Sequence, residues 1–352
     1  MKRRPRRWLA ALAGAALLAG CAEPLRDGPL GDIAAPAAPA VEALAWPGPP
    51  EDPRVAFETT FATPADLGVD QGVLAWLERT VFGARPVHLV RPMAVVTVGE
   101  VVFVADPGAH GVHRFDRARS RYDLLRRADE RPLPSPVGMA ASDDGRVYLT
   151  DSELAGIFVV DAGADEVRRL PIDVELAQPT GIAINPHSSE LYVTDTLGHR
   201  VHVFSRDGHH LRSFGAHDDA AGHFNYPTYL WFTPAGELLV ADSLNFRVQG
   251  FAADDRWLFA FGHHGDGSGD IARLKGVATD SDGHVYVVDA LFHAVQIFDR
   301  DGTLLLAFGN PGQRPGEFWL PTGIFIDTED RIYVADAYNR RVQVFRYIGG
   351  GK

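Results

Sequence analysis

Six aspartates occupy equivalent places along this 352-residue chain: Asp106, Asp151, Asp195, Asp242, Asp289 and Asp336. Each closes an apolar run of the same kind (VFVAD, VYLTD, LYVTD, LLVAD, VYVVD and IYVAD), and the intervals are 44 to 47 residues. Carboxylates in such numbers invite a cation. A residue that recurs once per unit, however, is expected to do a job that each unit needs. At the end of a strand it can accept backbone N–H bonds in the following turn. It can also pair with an arginine five residues on, and Arg200, Arg247 and Arg341 stand at that distance.

Histidine and lysine offer further chemistry. His110, His199, His217, His223, His263, His264 and His293 fall in the segments between apolar runs. Three imidazoles converging on one point would bind a metal. These sit at unlike positions in their segments, so no metal or other cofactor is assigned. His199, His223, His264 and His293 remain the candidates. Lys275 follows Arg273 and Leu274 where other units carry Pro-Met, Pro-Val or Pro-Thr. A lone ammonium can hold a carboxylate or other anion, unless an acid such as Asp270 or Asp289 neutralises it. No nucleophile elbow, phosphate loop or Cys/His pair occurs. The glycines of Gly265-Asp266-Gly267-Ser268-Gly269 mark a turn, since no helix follows them.

The elements that must position these residues are short strands. Residues 321–345 (PTGIFIDTEDRIYVADAYNRRVQVF) contain three runs of alternating polarity separated by turn residues. Such runs read as an antiparallel meander. A fourth run follows in most copies, as in Leu211–Phe214, Leu258–Phe261 and Leu305–Phe308. Four strands per unit, six units and a period in the forties predict an all-β, six-bladed propeller of four-stranded antiparallel blades.

The pattern Pro-x-Gly-Ile, Ile-Tyr-Val-Ala-Asp, Asn-x-Arg-Val-Gln-Val-Phe and Phe-Gly resembles the NHL repeat. It spans 86–348, is most faithful at 179–215, 227–262 and 321–345, and is degenerate in units one and two (92–125 and 136–170). The resemblance implies the propeller fold and a ligand site on the end of the ring that carries the interblade loops. Function does not follow from fold alone. Peptidyl-amidating lyases resemble this architecture and place zinc-binding histidines after the blade-opening proline. Here those positions hold Met93, Val137, Thr180, Thr228, Lys275 and Thr322. Gluconolactonase-like propellers share it too and hold calcium with acids and amides. The expected site is therefore a polar pocket of Lys275, Arg273, Thr228 and Tyr229, with Thr180 and Thr322 on the same ring. The expected role is a scaffold or sensor for a protein, peptide or glycan. A metal-assisted lyase or lactone hydrolase is the alternative.

The remaining chain positions the domain. Met1–Arg7 carries five basic residues and Leu9–Leu18 is apolar, the layout of an export signal over 1–20. Leu18-Ala19-Gly20-Cys21 resembles the bacterial lipobox, which implies that Cys21, the one cysteine, carries the lipid. A diacylglycerol plus an amide-linked acyl chain suffices for stable attachment. Ala22, in place of an aspartate, favours the outer membrane by resemblance to enterobacterial sorting. Residues 21–53 read as an Ala/Pro-rich tether, and 54–85 as a closing strand and a helix. The final unit lacks a fourth strand, so Arg54–Phe61 is expected to supply it and seal the ring. Pro64–Phe82 reads as one helix, with Val73, Leu74, Leu77 and Val81 on one face. The net charge of −12, more acidic once the signal is removed, argues against nucleic acid. A monomer is expected.

Overall fold

The computed structural model describes residues 44–69 and 87–349. Six blade sheets are present, each antiparallel, and a separate two-stranded ribbon, Arg127–Ala128 with Arg131–Pro132, lies between blades one and two. Blade one is Ala94–Val98, Val101–Asp106, Gly111–Asp116 and Arg121–Leu125; blade two is Pro136–Ala141, Arg146–Asp151, Gly156–Asp161 and Arg168–Arg169. Blade three is Pro179–Ile184, Leu191–Asp195, Arg200–Phe204 and His210–Phe214; blade four is Pro227–Phe232, Leu238–Asp242, Arg247–Phe251 and Trp257–Phe261. Blade five is Leu274–Thr279, Val285–Asp289, Ala294–Phe298 and Leu304–Phe308. The first strand of each blade contacts those of its neighbours, and that of blade six meets that of blade one.

Blade six joins both ends of the chain. Ile324–Ile326, Arg331–Asp336 and Arg341–Tyr347 pair in order, and Val55–Phe61 pairs antiparallel with the last of them. The expected closing strand is thus observed. Inside the stretch read as tether, Ala45–Trp46 adds a fifth strand through Ala45↔Ala56 and Trp46↔Val55. The Trp46 ring lies 5.5 Å from Phe308 and 5.7 Å from Phe345, so aromatic burial holds it there. Where the helix over Pro64–Phe82 is expected, the described residues show a single 3-10 turn, Pro64–Leu67, ended by Gly68 at a left-handed φ of 69°. Asp66 Oδ2 accepts the Ala62 and Thr63 amides at 2.9 and 2.8 Å. Residues 70–82 of the expected helix lie outside the described residues, as do the expected export signal and Cys21.

The core lies between blades. Val147, Leu149 and Phe158 of blade two pack with Phe103 and Ala105 of blade one; Phe61 joins Phe115 of blade one and Val342 of blade six. Pro-x-Gly has a packing reason. A Cβ on Gly181 of Pro179-Thr180-Gly181 would stand 2.8 Å from Thr228 O of the next blade. Glycine lets adjacent backbones approach at the narrow inner radius.

Candidate functional site

The second strand of every blade ends at one end of the ring, and the interblade loops enter at the same end; we term it the loop face. Each aspartate of the series sits there, buried, and reaches back to the loop that enters its own blade. Asp106 accepts the amides of Val90 (2.6 Å) and Arg91 (2.9 Å); Asp195 accepts those of Ala177 and Gln178 (both 2.8 Å); Asp336 accepts that of Trp319 (2.8 Å). Asp151, Asp195 and Asp289 also accept amides of the following turn, at Leu154, Gly198 and Phe292. The per-blade structural role is therefore observed, with a second, longer reach that local pattern does not show.

Two of the three expected ion pairs form. Arg247 Nε lies 2.8 Å from Asp242 and Arg341 Nε 2.8 Å from Asp336. Arg200 instead turns to Gly198 O at 3.2 Å, and buried His202 stands 3.9 Å from Asp195. Glutamine fills the His202 position in blades four to six. Gln249, Gln296 and Gln343 each accept one loop amide (Gly222, Gly269, Gly316) and donate to one loop carbonyl (His223, Asp270, Glu317). Burial pushes the Asp242 and Asp336 carboxyls above the usual range, against the pull of bonds from Asn225 or Trp319 and from their arginines. Asp106 is also buried, but its bonds from His113, Val90 and Arg91 prevail and its carboxyl is lowered.

The histidines, expected at unlike positions, prove to follow the repeat. His110, His199 and His293 stand four residues after their aspartates, at left-handed φ of 52°, 51° and 54°. Ala155, Phe246 and Arg340 hold this conformation in the other blades. His199 Nδ1 accepts the Tyr226 amide (3.3 Å) and His293 Nδ1 the Leu320 amide (3.0 Å), so their rings cap loop backbone. His264 packs on Phe246 with centroids 4.3 Å apart, as His217 does on His199 at 4.2 Å. His223 Nδ1 is buried without a partner, while the His223 carbonyl serves Arg247 and Gln249. Among the described residues no group of three or more His, Cys, Asp or Glu is placed to hold a metal ion.

The ring of Met93, Val137, Thr180, Thr228, Lys275 and Thr322 surrounds the mouth of the channel. Its hydroxyls are already partnered. Thr180 bonds Thr194 (2.9 Å) and Thr196 (2.7 Å), Thr228 bonds Ser243 (2.6 Å), and Thr322 donates to Pro92 O (3.2 Å). Tyr229 runs past blade five and donates to Ile324 O at 2.7 Å. Trp231 donates to Thr279 Oγ1 at 2.9 Å and meets Phe325 edge-on at 6.0 Å. These rings border a channel cavity of about 160 Å³, lined also by Val96, Met139 and Ile182. Lys275 differs from the rest. Among the described residues its ammonium has neither a carboxylate nor a hydrogen-bond acceptor. Asp289 is committed to the Ala272, Arg273, Leu291 and Phe292 amides, and Asp270 to His263 and Gly267. Burial lowers the Lys275 pKa, and exposed Arg273 lowers it further.

The fold and its loop face define a six-bladed β-propeller. A family model described as "DUF5128: 6-bladed beta-propeller" matches residues 268–349. No curated protein matches the chain in sequence. Among solved structures, the chain is similar to virginiamycin B lyase from Staphylococcus aureus, at 14% identity and a TM-score of 0.54, covering 74% of this chain and 96% of that one. It is similar to a gluconolactonase from Xanthomonas campestris, at 16% identity and a TM-score of 0.56, covering 73% and 86%. It is also similar to an auxiliary nutrient binding protein from Bacteroides thetaiotaomicron, at 12% identity and a TM-score of 0.58, covering 74% and 69%.

Proposed function

We propose that this chain is a lipid-anchored, NHL-type propeller that binds a protein, peptide or glycan through its loop face, as a scaffold or sensor. The observation that carries the reading is Lys275. A half-buried ammonium without a counter-charge is costly to keep, and here it stands at the channel mouth beside Arg273, a second cation that has no acid partner among the described residues. An anionic group of a ligand would neutralise it. The lipobox-like Cys21 and the Ala/Pro-rich stretch behind it support a domain held off a membrane, with the outer membrane favoured by Ala22.

The lyase and gluconolactonase among the similar structures keep an enzymatic reading in view. It has no metal-ligand cluster to work from among the described residues. Metal analysis of the full-length chain purified without chelator separates the two: one zinc or calcium per chain would favour the hydrolase or lyase. The binding reading is tested by partner capture from membranes with wild type, Lys275→Met and Cys21→Ser. A specific partner lost with Lys275→Met is expected. A partner retained at equal yield removes the anchor.

A further inference from the structure

Four blades carry a large exposed apolar side chain at the same place, two residues after the aspartate. Leu197 is 50% exposed, Leu244 49%, Leu291 52% and Tyr338 60%. The turn needs none of them: blades one and two hold Gly108 and Glu153 there. Rings in the intervening loops link them. Tyr226 packs on His199 with centroids 4.7 Å apart, between Leu197 and Leu244. Phe246, two residues after Leu244, packs on His264 of the loop entering blade five, the blade of Leu291. Trp319, 47% exposed, accepts the Tyr338 amide on its carbonyl at 3.2 Å. The result is an apolar arc over blades three to six. Such a patch on an exposed face marks an interaction site.

Unpaired cations border this arc. Most arginines elsewhere are held by acids, for example Arg212 by Glu190 and Asp255, Arg331 by Glu329, and Arg346 by Glu58. Among the described residues several cations have no acid partner, Arg54, Arg126 and Arg256 among them, and four of these cations, Lys275, Arg273, Arg91 and Arg340, stand beside the arc. Lys275 and Arg273 belong to blade five, inside the arc. Arg91 and Arg340 line a cavity of about 470 Å³ at its end, with Val90, His110 and Tyr338. In a chain of net charge −12, cations left free beside exposed leucines select their partner by complementarity.

We infer that the loop face takes a polypeptide segment bearing apolar side chains together with carboxylates. The apolar side chains lie along Leu197, Leu244, Leu291 and Tyr338. The carboxylates reach Lys275 and Arg273 at the mouth, and Arg91 and Arg340 in the end cavity. This rests on the binding reading above and narrows it to one class of ligand. A glycan fits less well, because the mouth hydroxyls are spent on one another and on backbone, and the arc is mainly aliphatic. An anionic membrane fits less well, because exposed Glu153, Asp218, Asp219 and Asp266 share this end of the ring and would meet its headgroups.

Selection of a random twelve-residue peptide library on the immobilised full-length chain tests the inference. Enrichment of peptides that combine Asp or Glu with Leu, Phe or Trp is expected. The affinity of a selected peptide should fall about tenfold or more in the doubly substituted Leu244→Asp, Leu291→Asp chain, and should weaken with added salt. Both sites are exposed, and an unchanged thermal melt of the variant excludes misfolding. No enrichment, enrichment of basic peptides, or full affinity in the double variant would overturn the inference. So would binding to phosphatidylglycerol vesicles, or self-association of the chain, that the double variant abolishes. Lys275→Met without effect on a peptide that the leucine variant loses would remove the Lys275 anchor while leaving the arc.

Discussion

Gln343 donates through Nε2 to Glu317 O at 2.7 Å and to Asp336 Oδ2 at 3.2 Å, so one side chain ties the loop entering blade six to the carboxylate closing its second strand. Asn339 and Arg341 complete the clamp. Asn339 donates to Gly312 O (2.7 Å), and Arg341 to Gln313 O (2.7 Å), Arg314 O (2.9 Å) and Glu317 O (2.7 Å). The motif Asn-x-Arg-x-Gln is therefore a device for fixing an interblade loop as a rigid part of the loop face.

Because Asp336 is the hub of this clamp, Asp336→Ala should cost about 3–5 kcal/mol, as removal of one partner of a buried ion pair does. Arg200→Met, whose side chain is exposed and meets only Gly198 O, should stay within about 0.5 kcal/mol of wild type. Urea melts of the two variants measure the contrast. Equal losses would mean that the clamp does not hold the loop.

The ring closure gives a second prediction. Phe61 is 1% exposed, 5.9 Å from Phe115 of blade one, and is supplied by a strand that enters from near the start of the chain. Phe61→Ala should cost about 3–5 kcal/mol. It should also loosen blade six against blade one before the other seams. Hydrogen exchange of Val342–Phe345 and Val102–Val104 reads this directly, and protection there equal to that of blade four would contradict it.

Much of this architecture was legible because a repeat reports itself. The spacing of Asp106 to Asp336 marked six units, and the missing outer strand after Phe345 pointed to Val55–Phe61. What stayed hidden is long-range. Nothing in the local pattern shows that an aspartate reaches back 15 to 18 residues to its entering loop, or that Arg200 turns to Gly198 O while Arg247 and Arg341 pair with their aspartates. Ala45–Trp46 lies in an Ala/Pro-rich stretch, and its pairing comes from aromatic burial rather than propensity. The Lys275 site was partly legible. Its odd residue type was visible, but its lack of a partner depends on Asp289 being filled by four amides. The leucine arc could have been found from one signal: an apolar residue recurring at a turn position where turn chemistry does not ask for it.

His202 gives the chain an acid-sensitive joint. Burial pushes its pKa down to about 4, despite the opposing pull of Asp195, from an ordinary value of about 6.5. The unfolded chain therefore binds a proton that the folded chain refuses. This contribution to stability is fully present above pH 6.5 and is lost as pH falls from there toward 4. His202→Gln, which installs the residue of blades four to six, should flatten that part of the stability–pH curve. Thermal melts of both proteins at pH 7.5, 6 and 5 would show it, and parallel curves would exclude His202 as the cause.

Lys275 should betray its role through stability. An ammonium held half-buried with no acid beside it among the described residues, and with Arg273 adding like charge, is worse solvated in the folded chain than in the unfolded one. Methionine keeps much of the stem's packing and removes the charge. Lys275→Met should therefore raise the melting temperature at pH 7, by about 2–4 °C for each kcal/mol recovered, while weakening any anionic ligand. Positions kept at a cost to the fold are the mark of a site that works on something else. A lowered melting temperature would instead show that Lys275 is a structural residue, and the loop face would need another anchor.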